Sequence, residues 1–267
     1  MKPILFLGGG RITGALLAGL RLAGDQSPIL VYDRNAEKLR ALRRKSQAEI
    51  AGDLRSALAR ASMTIVAVRP GSVRGLLAEV TRCRVWPRLC VSLAAGVPLQ
   101  ILRQGLGPSV RWVRAMPSPV SRIGRGLTGL CFDQDASRAE RTRVRKFFAV
   151  VGQVIEIPEP QFDAFTATYS SSHGYHALAA LTTAAQDAGL DAHTALIASA
   201  HALGDAILYW RESGESLKNL LHEAATPGGI AAATMKAMDS GGYVRAVGRG
   251  LSAGIKTARA NARHRNI

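Results

Sequence analysis

The feature that most constrains this chain is a glycine-rich turn close to its start. Residues 4–7 (Ile-Leu-Phe-Leu) make a short run with no polar interruption, and Gly8, Gly9 and Gly10 follow at once. Arg11, Ile12, Thr13 and Gly14 come next, leading into an apolar-periodic stretch that reaches Leu22. A buried strand, a turn without side chains and a helix, in that order, form the unit that opens a parallel sheet. In such a unit Gly8 permits the tight turn, and Gly10 lets the backbone approach a pyrophosphate. The first helical N–H groups, those of Arg11 and Ile12, hold the anion. The third glycine position is taken by Thr13, with Gly14 one place late. A second apolar run ends at Tyr32-Asp33, at about the 20-residue spacing expected of an acid that bonds a ribose. The pattern predicts dinucleotide binding. Asp33 favours NADH, whereas the adjacent Arg34 could hold a 2′-phosphate or stack on adenine, so NADH and NADPH both stay open.

Further short apolar runs lie at 28–32, 63–68, 89–93, 111–115, 127–132 and 154–157, with amphipathic stretches at 37–44 and 55–60 between the early ones. Strands alternating with helices predict a mostly parallel, doubly wound sheet. Ile157-Pro158-Glu159-Pro160 ends that regime, because two prolines so close cannot continue a strand interior. Beyond it Leu196, Ala200, Leu203 and Ile207 fall on one helical face, and Gly189 and Gly214 punctuate helix ends. The expectation is an α/β dinucleotide-binding domain over 1–158 and an α-helical domain over 159–267. In an open α/β sheet ligands sit at the carboxyl ends of strands. That makes Val68, Arg69 and Pro70, Ala95 and Gly96, and Met116 and Ser118 site candidates.

The composition excludes several classes. With 47% hydrophobic and 20% charged residues the chain can bury a core and does not read as disordered. Cys83, Cys90 and Cys131 are odd in number and form no C-x-x-C pair, so they read as buried thiols of a reducing compartment, with no metal site. No apolar stretch is long enough to span a membrane and the start does not read as a secretory leader, so a soluble cytoplasmic protein is expected. The net charge of +16 is Arg-rich and spread along the chain. No aromatic residues interleave with the basic runs as stacking platforms, so nucleic acid is not the expected partner. A positive surface would steer anionic substrates and phosphorylated cofactors inward.

Gly8-Gly9-Gly10, Val68-Arg69-Pro70, Ser92-Leu93-Ala94-Ala95-Gly96, Arg114-Ala115-Met116-Pro117, Asp163 through Thr166-Ala167, and Leu217-Lys218 followed by Thr226-Pro227-Gly228-Gly229 occur in the order and spacing of pyrroline-5-carboxylate reductases, which the chain resembles over essentially its whole length. The resemblance implies a Rossmann-type domain followed by an all-α domain that interlocks into homodimers or a higher oligomer. It also implies reduction of a cyclic imine to proline with NADPH or NADH. It places substrate near Met116, Ser118, Ser172, Gly228, Gly229, Ile230 and Ala231, with His173, Tyr175 and Thr226 as candidate proton donors. The chain departs from the family pattern at several of these positions. His173 stands where the family has a proline, Arg69 replaces a lysine and Ser118 an asparagine, and Ile230 and Ala231 replace two threonines. The second of those threonines serves the imine nitrogen in the family, and Ala231 cannot donate a proton. His173 is the expected replacement donor, with a turnover that falls as pH rises through the imidazole titration. Three other readings stay open: a reductase of a different imine, a non-catalytic paralogue that binds dinucleotide or metabolite, and a nucleic-acid-associated protein.

Overall fold

The computed structural model describes the chain from Lys2 to Arg263, with side chains to Ala260. Eight strands form one sheet: β1 (Ile4–Leu7), β2 (Ile29–Tyr32), β3 (Glu49–Ile50), β4 (Met63–Val66), β5 (Leu89–Ser92), β6 (Arg111–Met116), β7 (Gly126–Phe132) and β8 (Gly152–Glu156), in the order β3-β2-β1-β4-β5-β6-β7-β8. The pairings from β3 through to β6 are parallel, β7 runs antiparallel to β6, and β8 is parallel to β7. The strand order reverses between β1 and β4, which makes their carboxyl ends the switch point where doubly wound sheets bind ligands.

The alternation along β1 sorts its side chains into two cores. Leu5 and Leu7 join Leu30, Leu76, Leu77 and Trp112 on one face, while Phe6 joins Leu16, Leu17, Val31 and Phe148 on the other. Each such side chain contributes about 1.5–3 kcal/mol by leaving water. The helices of this layer are α1 (Arg11–Leu22), α2 (Ala36–Ser46), α3 (Leu54–Arg60), α4 (Val73–Arg82), α5 (Leu99–Leu106), α6 (Arg138–Ala149) and α7 (Glu159–Thr168). Three of their starts are set by side chains: Asn35 caps α2, Asp53 caps α3, and Ser137 with Glu140 forms a capping box on α6. Several strands are shorter at their ends than the apolar runs suggest. β4 stops at Val66, since Val68 and Arg69 turn away from the ladder ahead of the Pro70–Ser72 3₁₀ turn.

Packing divides the chain into two compact units, one of residues up to Tyr169 together with those from Ala253 onward, the other Ser170–Ser252. The second is helical: α8 (Ser172–Asp187), α9 (Ala192–Ser213), α10 (Leu217–Ala224), α11 (Ile230–Ser240) and the first part of α12 (Tyr243–Arg263). Gly189, at φ +104°, closes α8 with Leu190 N–H donating to the Ala185 carbonyl, and Gly214 ends α9 at φ +73°. Cys90 and Cys131 are buried and Cys83 is half-buried; all three are free thiols. Among the described residues no helix is long and apolar enough to cross a membrane, and no group of His, Cys, Asp or Glu could hold a metal ion.

Candidate functional site

The turn after β1 is held by backbone and side-chain hydrogen bonds. Gly8 sits at φ +118°, and a Cβ there would meet the Ala67 carbonyl oxygen at 2.5 Å, so a side chain is excluded by both backbone and space. Gly8 N–H donates to the Tyr32 carbonyl at 2.8 Å, and the Thr13 hydroxyl donates to the Gly8 carbonyl at 2.6 Å. This bond accounts for a threonine at the third glycine position: Thr13 is buried and ties the first turn of α1 back to the loop. Gly9 N–H donates to Asp33 Oδ2 at 2.8 Å. Gly10 is the N-cap of α1, carries no capping side chain, and has open space where a Cβ would be. The N–H groups at the start of α1 therefore open onto free space that a side chain on Gly10 would enter. Unpaired N–H groups at such a helix start suit a pyrophosphate in charge.

Asp33 and Arg34 follow β2. The carboxylate of Asp33 also accepts from Asn35 N–H at 2.8 Å, so it braces the glycine turn and the start of α2 at once. Lys38 Nζ lies 4.0 Å from its Oδ2. Arg34 does not stand alone either: its Nε and Nη2 donate to Glu79 Oε2 on α4 at 3.1 and 2.5 Å, and Tyr32 Oη donates to the other carboxylate oxygen at 2.9 Å. Burial would raise the Glu79 pKa, but the bonds from Arg34 and Tyr32 outweigh it and hold the carboxyl below its ordinary range. Tyr32 is raised, by burial first and by Glu79 second. Sequence reasoning missed Glu79, which reads there as an ordinary polar position on an amphipathic helix.

Val68 lies beside the turn, its Cγ1 at 3.3 Å from a Cβ built on Gly8, while Arg69 is exposed and Pro70 opens the 3₁₀ turn that leads into α4. After β5, Ala95 is half-buried and Gly96 is buried at φ +74°. A Cβ on Gly96 would meet the Ala258 carbonyl of α12 at 1.9 Å, so this glycine admits the returning helix. At the end of β6 Met116 is half-buried, and the buried Ser118 accepts from Val120 N–H at 3.1 Å, capping a 3₁₀ turn over Pro119–Ile123. Two residues before Met116, on the same face of β6, the buried Arg114 spans two acids of α7, with Nη1 to Glu159 Oε1 at 2.9 Å and Nη2 to Asp163 Oδ1 at 2.8 Å, and packs over the Phe162 ring. The Cys131 thiol donates to the other Glu159 oxygen at 3.0 Å, and its pKa is pushed up to about 12 by burial first and Glu159 second.

The remaining candidates lie in the helical unit. Ser172, His173 and Tyr175 stand on the exposed first turn of α8, where Ser170 and Ser172 share a hydroxyl hydrogen bond of 2.7 Å and His173 N–H donates to the Ser170 carbonyl. Tyr175 is 71% exposed. Thr226 and Gly228–Gly229 form the turn before α11: Gly229 N–H donates to the Thr226 carbonyl at 2.9 Å, and Gly228 takes φ +76°. Gly229 is the N-cap of α11 with no capping side chain, and Ile230 and Ala231 on its first turn are exposed. This helix start, uncapped and next to a glycine pair, is suited to a carboxylate.

Residues 159–261 match the sequence model of the family described as pyrroline-5-carboxylate reductase dimerisation, and residues 3–96 match that described as NADP oxidoreductase coenzyme F420-dependent. The pyrroline-5-carboxylate reductase of Mycobacterium tuberculosis is 28% identical, over 95% of this chain and 94% of its own. That of Mycobacterium leprae is 31% identical over 71% of this chain and 66% of its own. A solved pyrroline-5-carboxylate reductase from Coxiella burnetii superposes with a TM-score of 0.86 at 26% identity, covering 97% of this chain and 98% of that one. The chain belongs to the pyrroline-5-carboxylate reductase family. Within the family's layout the glycine turn lies in the stretch matching the NADP oxidoreductase description, and the two uncapped or serine-rich helix starts of α8 and α11 lie in the stretch matching the dimerisation description.

Proposed function

We propose that this chain is an NAD(P)H-dependent oxidoreductase that reduces the C=N bond of a small carboxylate-bearing cyclic imine, pyrroline-5-carboxylate, to L-proline. The observation that carries the reading is likeness to reductases of that name through nearly the whole chain, together with an anion cradle intact at Gly8 and Gly10. The reading assigns dinucleotide binding to 1–158 and dimerisation and substrate binding to 159–267. When bound, the dinucleotide supplies the hydride. The chain binds and orients: Gly8, Gly10, Arg11 and Ile12 take the pyrophosphate, and Asp33, Arg34, Val68, Arg69, Pro70, Ala95 and Gly96 border the rest of the dinucleotide. The reading gives the substrate carboxylate to the N–H groups that open α11, around Gly228, Gly229, Ile230 and Ala231, and counts Met116, Ser118 and Ser172 among the substrate-binding residues. His173 delivers the proton to the imine nitrogen, with Tyr175 and Thr226 as hydroxyl partners.

The protein works as a homodimer or a higher oligomer made through the helical unit. Leu196, Ile197, Ile207, Leu208, Tyr209 and Trp210 of α9 are 47–60% exposed, more apolar surface than a lone soluble unit of this size leaves in water. Free thiols fit a reducing, cytoplasmic setting.

The test is turnover of purified protein with NADH or NADPH and pyrroline-5-carboxylate, read as loss of reduced nicotinamide absorbance and as proline by mass spectrometry. Proline formation supports the reading. Turnover of another cyclic imine in its place moves the substrate, the outcome that Ala231 favours as the second reading. Dinucleotide binding without turnover of any imine assigns a non-catalytic paralogue.

A further inference from the structure

We propose that Glu79 sets the cofactor preference of this chain, selecting NADH by holding the guanidinium of Arg34 away from a 2′-phosphate. The inference rests on the dinucleotide-binding reading above and deepens it. Arg34 directly follows Asp33, at the end of β2 where the adenosine ribose lies in this fold. A guanidinium binds a phosphate best through two parallel N–H groups on one edge of its plane. In this chain one such edge, Nε and Nη2, is already bonded to Glu79 Oε2. Glu79 is itself fixed. Tyr32 donates to Oε1, so the carboxylate cannot rotate off Arg34 without breaking a second bond.

The groups around the pair reinforce the choice. Asp33 spends both oxygens on backbone N–H groups and so stays in place as a second negative charge where a 2′-phosphate would arrive. Lys38, 4.0 Å from Asp33, offsets part of that charge, whereas Glu79, whose pKa is lowered further by its bonds to Arg34 and Tyr32, stays ionised. A 2′-phosphate would have to compete with Glu79 for Arg34 and then sit beside two carboxylates. A ribose hydroxyl needs neither.

The test is calorimetric titration of the full-length protein with NADH and with NADPH, in the wild type, in Glu79→Gln and in Glu79→Gln/Arg34→Ala. Glutamine keeps the shape and the Tyr32 bond and removes only the charge, and circular dichroism checks that each variant is folded. The wild type should bind NADH about tenfold or more tighter than NADPH. Glu79→Gln should tighten NADPH about tenfold and move NADH less than about twofold, and the added Arg34→Ala should cancel the NADPH gain. Preference of the wild type for NADPH overturns the inference. So does an NADPH-to-NADH ratio that Glu79→Gln leaves unchanged, or a gain that survives removal of Arg34. A folded wild type that binds neither dinucleotide takes down the reductase reading and this inference with it, and is told apart by the absence of any heat.

Discussion

Two glycines only two positions apart carry opposite obligations. Gly8 is required by the fold, because its φ of +118° and the Ala67 carbonyl at 2.5 Å leave no room for a Cβ. Gly10 has ordinary extended backbone and open space, so the fold tolerates a side chain there and only a ligand would object. Gly10→Val should therefore melt within a few degrees of wild type while binding reduced dinucleotide at least about tenfold more weakly by calorimetry. Unchanged affinity in the folded variant would reject the cradle. His173 makes the complementary case in the helical unit. It is exposed on the first turn of α8, so His173→Ala should leave the melting temperature in place and lower kcat about 100-fold if the imidazole delivers the proton. Equal kinetics in the variant would return the role to Tyr175 or Thr226.

The clearest element-scale device is the anchoring of α7 through Arg114. This guanidinium is 2% exposed, and it joins β6 to Glu159 and Asp163 while resting on Phe162. Arg114→Leu would strand two carboxylates beside a buried sheet face, and a broken buried pair costs about 3–5 kcal/mol. Urea unfolding should show a loss of that size, and a loss below about 1 kcal/mol would mean that water already serves the acids. Such cross-element bonds mark the limit of what the sequence discloses. The period-2 and period-3.6 patterns located the major strands, the glycine turn and the helical second half, because burial imposes those periods locally. They were silent on β3, whose two residues are too few to show a period. They were equally silent on Glu79 meeting Arg34 and on Gly96 meeting Ala258, which depend on how distant segments are brought together. Ser118 illustrates the same limit. The residue was legible as a strand-end candidate, but its hydroxyl being bound as the cap of a 3₁₀ turn was not.

For the molecule as a whole, the contrast between the two units is in where apolar surface lies. The sheet unit has a fully buried core, with Trp112, Phe6 and Phe148 at no exposure, and leaves a few large apolar side chains such as Leu22, Trp86 and Ile123 in water. In the helical unit α8 buries no residue at all, α9 over 22 residues buries only Ala195 and Ser199, and side chains as large as Trp210 and Tyr209 remain in contact with water. In folded proteins most helix stability comes from packing of an apolar face. The missing partner surface is best supplied by a second copy, since the chain carries the dimerisation sequence of its family across residues 159–261. Stability should then depend on protein concentration, with the melting temperature falling as the protein is diluted, as mass action predicts. Ile207 is 55% exposed on the same helical face as Leu196, and a charge there would be buried unpaired against the second copy. Ile207→Glu should therefore shift sedimentation from dimer or larger towards monomer and lower the melting temperature, while the same substitution in a lone unit would change little. A wild-type chain that sediments as a monomer at micromolar concentration, and melts at the same temperature across the dilution series, would show that this face is covered in some other way.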